Sequence, residues 1–231
     1  MAARLRRGDG VGVPTIPSLT EGDVTIRPIR ARDARALERE LIDNRGWLRQ
    51  WEATNPHGPL SFDVRSSIRS LQANARAGLG LPFAMDYKGE FTGQLNVSSI
   101  SYGSLGCATI GYWVAERFAG HNITPTSVAL ATDHCFFGLG LHRMEICIRP
   151  ENVPSLRVVQ KLGFRYEGLR RRYIHINGDW RDHFCFALTV DEVPQGVLRR
   201  WLDGLAPQSD ADIPAADRAK AAIPMRIATR R

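Results

Sequence analysis

Apolar and polar positions change their period several times along the chain, and each change marks an element. VTIRPI (24 to 29) alternates as a short strand, with Pro28 tolerable at a sheet edge. Asp33 stands where an N-cap would start a helix carrying Leu37 and Leu41, and Asp63 caps a second helix with Val64, Ile68, Leu71 and Ala75 at helical spacing until Gly78 and Gly80 stop it. NRGWLRQWEATNP (44 to 56) between them reads as a loop or broken helix exposing two tryptophans. Strand periodicity then takes over. LPFAMDYK (81 to 88), FTGQLNVSSI (91 to 100) and CATIGYWV (107 to 114) predict three successive antiparallel strands. A helix from Pro125 to Gly138, the strand HRMEICIR (142 to 149) and a helix from Pro154 to Leu162 follow. A strand from Phe164, an Asn177-Gly178 hairpin turn and a strand presenting Trp180, Asp182, Phe184, Phe186 and Leu188 on one face complete the order.

One α+β domain fits this order, because no linker interrupts residues 81 to 190. Residues 1 to 20 read as a flexible basic leader, 21 to 193 as the folded domain, and 194 to 231 as a C-terminal helix and mobile tail.

The 231 residues are 43% apolar, which suits a globular core and excludes disorder throughout. No run approaches the roughly 18 apolar residues of a membrane span, and the N-terminus lacks the apolar core of a secretion signal. A cytoplasmic protein is expected. Cys107, Cys135, Cys147 and Cys185 lie far apart in the chain without a CxxC pair, so all four are expected to be reduced, buried small residues and no metal site is expected. The net charge is +7. Residues 1 to 14 carry three Arg against one Asp and residues 207 to 231 five bases against three acids, leaving a mild surplus that fits an anionic small ligand better than a DNA duplex. The cluster Arg165, Arg170, Arg171, Arg172 and Arg181 reads either as a basic surface or as a solvated sheet edge.

Two stretches carry the candidate chemistry. In GYWVAERFAGHNITPTSVALATDHCF, a strand ends near Val114 and a loop with Gly120 and Asn122 leads to Thr124-Pro125, an N-cap followed by proline at the first helical position. Unpaired N–H groups at a helix start favour a phosphate or pyrophosphate. In HRMEICIRPENVPSLRVVQKLGFRYEG, Asn152 can cap the next helix, Ser155 sits in its first turn, and Gly163 closes it.

These strings, with INGDWRDH, resemble the GCN5-related N-acetyltransferase (GNAT) family, and within it the RimJ/RimL branch that acetylates N-termini of ribosomal proteins. The resemblance covers about residues 21 to 190 and implies a GNAT fold: a mixed, mostly antiparallel central sheet splayed between its fourth and fifth strands, CATIGYWV and HRMEICIR, with helices on both faces. It implies acetyl-CoA as donor, its pantetheine lying in the gap as a pseudo-strand. Trp113, Val114 and Ala115 would contact the pantetheine or acetyl group. The N–H groups of Ala119, Gly120, His121, Asn122, Ile123 and Thr124 would hold the pyrophosphate. This loop departs from the family's Q/R-x-x-G-x-G/A pattern, but backbone donors survive the changes and Asn tolerates left-handed geometry. Asn152 matches the asparagine that contacts the cofactor arm, and Ser155 a residue near the sulfur whose hydroxyl could protonate the departing thiolate.

The implied reaction is direct attack of a free amine on the thioester, with the tetrahedral oxyanion held by the Val114 N–H. An α-amino group, with pKa about 8, demands less of a base than a lysine at about 10.4. Thr109 stands where many relatives carry Glu, so the candidates for acid or base work are His175, Tyr173, Asp182 and Glu145, the last three through water. The substrate end is expected among Trp47, Trp51, Asn55, Arg172 and Trp180. The expected partner is a protein N-terminus, such as that of a ribosomal protein, with room for a homodimer and for weak RNA or ribosome contact. No membrane or specific DNA partner is expected. The competing readings are acetylation of a small-molecule amine and a non-catalytic ribosome- or RNA-associated factor on the same fold.

Overall fold

A computed structural model describes residues 16–58 and 63–223. The parts of the expected leader and tail at 1–15 and 224–231 lie outside the described residues. Eight strands form one sheet in the order β1-β2-β3-β4-β5-β6-β8-β7. They are β1 Leu19–Glu21, β2 Val24–Pro28, β3 Leu81–Tyr87, β4 Glu90–Ser101, β5 Cys107–Val114, β6 Arg143–Ile148, β7 Arg165–Ile176 and β8 Asp179–Thr189. The helices are α1 Ala34–Asp43, α2 Arg45–Leu48, α3 Val64–Arg76, α4 Ile123–Asp133, α5 Val153–Leu162, α6 Val197–Leu202 and α7 Ala215–Ala222. All pairings are antiparallel except β5 with β6.

The expected alternation holds where it matters. Phe83, Met85, Leu95, Val97, Ile110, Met144, Ile146, Phe184 and Phe186 face α4 and α5 in the main core, while Ala84 and Phe91 face α1 and α3 in a smaller one. Helix α4 is buried on nearly every side, because α5 and α6 cover what the sheet leaves open. Asp63 caps α3 as expected, its carboxylate accepting from the N–H groups of Arg65 and Ser66.

Four expectations require correction. Ordered chain begins before Val24, since β1 pairs with β2; the splayed strands are therefore fifth and sixth. Asp33 precedes α1 but does not cap it with its side chain. Its carboxylate accepts instead from the Arg30 N–H at 2.7 Å and pairs with Arg27, closing a short turn ahead of the helix. The expected C-terminal helix is present as α6, within 194 to 205, but the segment beyond it, expected to be mobile, packs on the domain through Ala211 and Ile213. Asp133 accepts from the N–H groups of Val197 and Leu198 at the start of α6, Arg200 donates to the carbonyls of Leu162 and Gly163 at the end of α5, and Val197, Ala211 and Ile213 are buried in the main core. Finally, Cys107 and Cys147 are only half-buried, and Cys147 faces Cys185 across the β6–β8 ladder.

The arginine cluster on β7 and β8 is paired. Arg165 meets Glu167 and Glu192, Arg170 meets Glu145, Arg171 meets Asp182, and Arg172 and Arg181 both meet Asp179. Of the two readings of this cluster, the solvated edge is the one its geometry fits: β7 ends the sheet, and neutralised charges along it discourage further strand pairing.

Candidate active site

The β5–β6 ladder lasts three residue pairs, Cys107 with Arg143, Ala108 with Met144 and Thr109 with Glu145, and then the strands part. Beyond that point each strand has backbone groups turned toward the gap. Ala115 N–H donates to Thr92 O at 2.8 Å, and Val114 stands opposite Gly93. Hydrogen-bonded and non-bonded pairs alternate in an antiparallel ladder, so the N–H and C=O of Val114 point away from β4, into the gap. The carbonyl already accepts from Trp47 Nε1 at 3.2 Å.

The gap opens into a cleft of about 450 Å³ lined by Trp47, Trp51, Tyr112, Trp113, Val114, the turn from Phe118 to Pro125 apart from His121, Asn152, Ser155, Arg157 and Lys161, among others. One wall is the end of β5, the other the first turns of α5. Tyr112 and Ser155 join the walls, their hydroxyl oxygens 2.8 Å apart. Burial pushes the Tyr112 phenol well above the ordinary tyrosine range, against the opposing effect of the Ser155 bond, so it remains protonated.

At the cleft mouth the chain turns through Gly120 and Asn122, both at positive φ (85° and 58°). The tolerance of Asn for left-handed geometry is thus used at Asn122, which is itself the residue preceding α4. Helix α4 starts at Ile123, two residues before the expected Thr124-Pro125 start, and Thr124 and Pro125 fall inside its first turn. Asn122 Oδ1 accepts from Lys161 Nζ at 2.7 Å, which brings a cation to the helix start. Arg157 stands one turn before Lys161 on α5. Asn152 Oδ1 accepts from Ser155 N–H at 3.2 Å, the expected cap, while lining the cleft.

The turn is anchored from behind. Arg117 donates to the buried carboxylate of Glu40 (Nη2 to Oε1, 2.9 Å), and Asn44 Oδ1 accepts from Glu116 N–H at 2.8 Å, so α1 and the residue after it hold the approach to the turn. The Arg117 bond holds the Glu40 carboxyl below the usual carboxylate range although burial opposes it.

Several expected site residues lie elsewhere. Ala115 is fully buried against β4, and the His121 ring turns out to meet Tyr87, leaving only its backbone in the turn. Tyr173, His175 and Arg172 sit on β7, which is separated from β6 by β8, and an irregularity between Arg170 and Ile174, with Arg172 at φ 49°, breaks the side-chain alternation there. His175 Nδ1 lies 2.8 Å from Thr54 Oγ1 and its carbonyl accepts from Thr54 N–H, so it fixes the 50s loop to the sheet edge. Tyr173 OH accepts from Arg170 at 3.1 Å. Asp182 accepts from Arg172 N–H at 2.7 Å and pairs with Arg171, orienting the irregular backbone. Glu145 is held by Arg143 and Arg170. Trp47 and Trp51 are half-buried in the cleft wall rather than exposed, whereas Asn55 and Trp180 are exposed and outside it. Asn55 and His175 line a second cavity, of about 960 Å³, with Glu38, Arg45 and Glu52. Tyr112, Phe118, Arg157 and Lys161 were missed. Strand alternation places Tyr112 on the face of Ile110, toward α5, and helical spacing from Val153 places Arg157 and Lys161 along one side of α5.

The profile of the family described as Acetyltransferase (GNAT) domain matches residues 23–165. The chain belongs to this family. The acetyltransferase is 38% identical to the probable N-acetyltransferase YjcK of Bacillus subtilis over 71% of this chain and 93% of that one. It is 28% identical to the [ribosomal protein uS5]-alanine N-acetyltransferase of Escherichia coli, over 77% and 93%. Mycobacterium smegmatis RimJ, solved in complex with CoA-disulfide, superposes with a TM-score of 0.73 at 39% identity, covering 78% of this chain and 88% of that one. Acetyl-CoA is the donor. The parted strands, the outward N–H of Val114, the positive-φ turn and the cations of α5 suit a long carrier with an anionic end.

Proposed function

We propose that the acetyltransferase acts on the α-amino group of a protein N-terminus, of the ribosomal-protein kind on which its named relative acts. The observation that carries this reading is the chemistry of the cleft: among its described lining residues there is no Asp, Glu or His. An amine that must lose its proton there receives little help, so the acceptor is one that deprotonates easily. An α-amino group does so at about pH 8, a lysine or polyamine amine only about two units higher.

Bound acetyl-CoA supplies the thioester. The N–H groups of Gly120 to Thr124, with Lys161 and Arg157, bind the anionic end, whereas the Ala119 N–H, also expected there, is taken by the Glu116 carbonyl at 3.0 Å. Asn152 stiffens the start of α5 through its bond to Ser155. The Val114 N–H donates toward the carbonyl oxygen as charge gathers on it. Ser155 holds its hydroxyl where the sulfur departs and donates a proton, and Tyr112, kept protonated by burial, hydrogen-bonds Ser155 and fixes its rotamer. Trp47 and Trp51 form the acceptor side and exclude water.

A cationic small amine is favoured by Glu38 and Glu52 in the second cavity. Glu52 is already paired with Arg45 of the same cavity at 2.6 Å, which leaves Glu38 alone to face a polycation. A panel of N-terminal peptides, spermidine-like polyamines and free amino acids, followed by CoA release, tests the reading. Peptides are expected to react preferentially. Reaction of small amines alone would overturn it.

A further inference from the structure

Cys147 and Cys185 belong to neither cavity and have no part in acetyl transfer. They are 38 positions apart in sequence but exact partners in the β6–β8 register, so their side chains share one sheet face, and their sulfurs stand 3.1 Å apart. Directly opposed residues in an antiparallel ladder have Cα atoms about 4.5 or 5.5 Å apart, and both distances fall within the span a disulfide bridges. Closure therefore needs side-chain rotation and no strand movement. The two thiols also differ. Cys147 is half-buried and has the Arg170 guanidinium 3.6 Å from its sulfur, whereas Cys185 is buried behind it. The S–H of Cys185 directed at Cys147, together with Arg170, lowers the Cys147 thiol against the effects of burial and Glu145, and the Cys185 thiol is raised correspondingly.

We propose that Cys147 and Cys185 form a reversible oxidation site that reacts with hydroperoxides, Cys147 as the attacking thiolate and Cys185 as the resolving thiol. The Cys147 thiolate attacks one oxygen of the peroxide, forming an S–O bond as the O–O bond breaks; the other oxygen leaves and is protonated to an alcohol, or to water from hydrogen peroxide. Cys185 sulfur then attacks the sulfenic sulfur, the S–S bond forms, and the S–O bond breaks to release water with the Cys185 proton. The two sulfurs supply the two electrons that reduce the peroxide, and a dithiol reverses the step by exchange. The remaining cysteines serve as internal references. Cys135 is fully buried, with its thiol pushed up to about 12 by burial, and Cys107 stands alone on β5.

The test is titration of the reduced full-length protein with hydrogen peroxide, followed by thiol counting in denaturant and peptide mapping. The expected result is loss of two of the four thiols, a mass lower by two hydrogens, one intrachain link between the Cys147 and Cys185 peptides, and recovery of all four thiols with dithiothreitol. In Cys185→Ser, Cys147 is expected to hold a sulfenic acid that dimedone traps, whereas Cys147→Ser gives no trapped adduct at Cys185. Four thiols persisting in the wild type, a link through Cys107 or Cys135, or only intermolecular links would overturn the proposal. The wild-type mapping stands whether or not either variant folds.

Discussion

The Tyr112 hydroxyl lies 2.8 Å from Ser155 Oγ and joins the end of β5 to the first turn of α5 beyond the last β5–β6 pair. Removing the proton donor at the sulfur should cost rate more than affinity. Ser155→Ala is expected to lower kcat by about 100-fold with KM for acetyl-CoA changed little, as loss of general acid catalysis predicts. Tyr112→Phe should lose about tenfold, and the double variant no more than Ser155→Ala alone, because the two act as a unit. Steady-state kinetics on the three variants checks this.

Gly93 is required by close approach. A Cβ there would lie 2.2 Å from the Trp113 carbonyl oxygen and 2.9 Å from Val114 Cα. Both are backbone atoms of the strand that forms the cleft wall, so neither can yield cheaply. Gly93→Ala should destabilise the protein by about 1–3 kcal/mol and raise KM for acetyl-CoA by displacing the Val114 N–H. Urea melts and acetyl-CoA titration measure the two effects.

Glu40 ties stability to acid. Its carboxyl is held below the usual range by Arg117, so its folded-state pKa lies below its unfolded one. Such a group contributes stability that is fully present above the unfolded value, about 4.3, and lost as pH falls through the folded value. Wild-type Tm should therefore fall more steeply below about pH 4.5 than that of Glu40→Gln, which gives up about 1–2 kcal/mol at neutral pH, a figure discounted for the half-exposed Arg117. Melting curves from pH 3 to 7 decide it.

Deleting residues 194–231 removes buried Val197, Ala211 and Ile213 and leaves Asp133 without the two N–H groups it accepts from. At roughly 1.5–3 kcal/mol for each large apolar side chain, the truncated chain should melt well below the full one. A truly mobile tail would leave Tm unchanged.

Activity should rise with pH along a limb near 8, set by the acceptor amine, and His175→Ala should preserve the shape of that profile while loosening the 50s loop. A limb in the histidine range that disappears in this variant would restore His175 as a base.

Much of this was legible in the chain. Alternation in residues 81 to 114 fixed three strands and their order, Asp63 marked its helix start, and the PEN-to-GF string located Asn152, Ser155 and Gly163. What could not be read was long-range order. Nothing local tells that β8 inserts between β6 and β7, and that insertion is what removes Tyr173 and His175 from the cleft. The left-handed turn at Asn122 moved the helix start ahead of Thr124, although Thr-Pro is the stronger local signal. The segment beyond the 194 to 205 helix looked too polar to pack, yet a few apolar residues, with the helix itself tied to the half-buried carboxylate of Asp133, suffice to dock it.

Backbone hydrogen exchange with and without acetyl-CoA tests the central claim most directly. Slowed exchange is predicted at Val114 and in the Gly120 to Thr124 turn, because the Val114 N–H points into the gap and the turn lines the cleft. Unchanged exchange there, with protection appearing around the Asn55 and His175 cavity instead, would contradict the account.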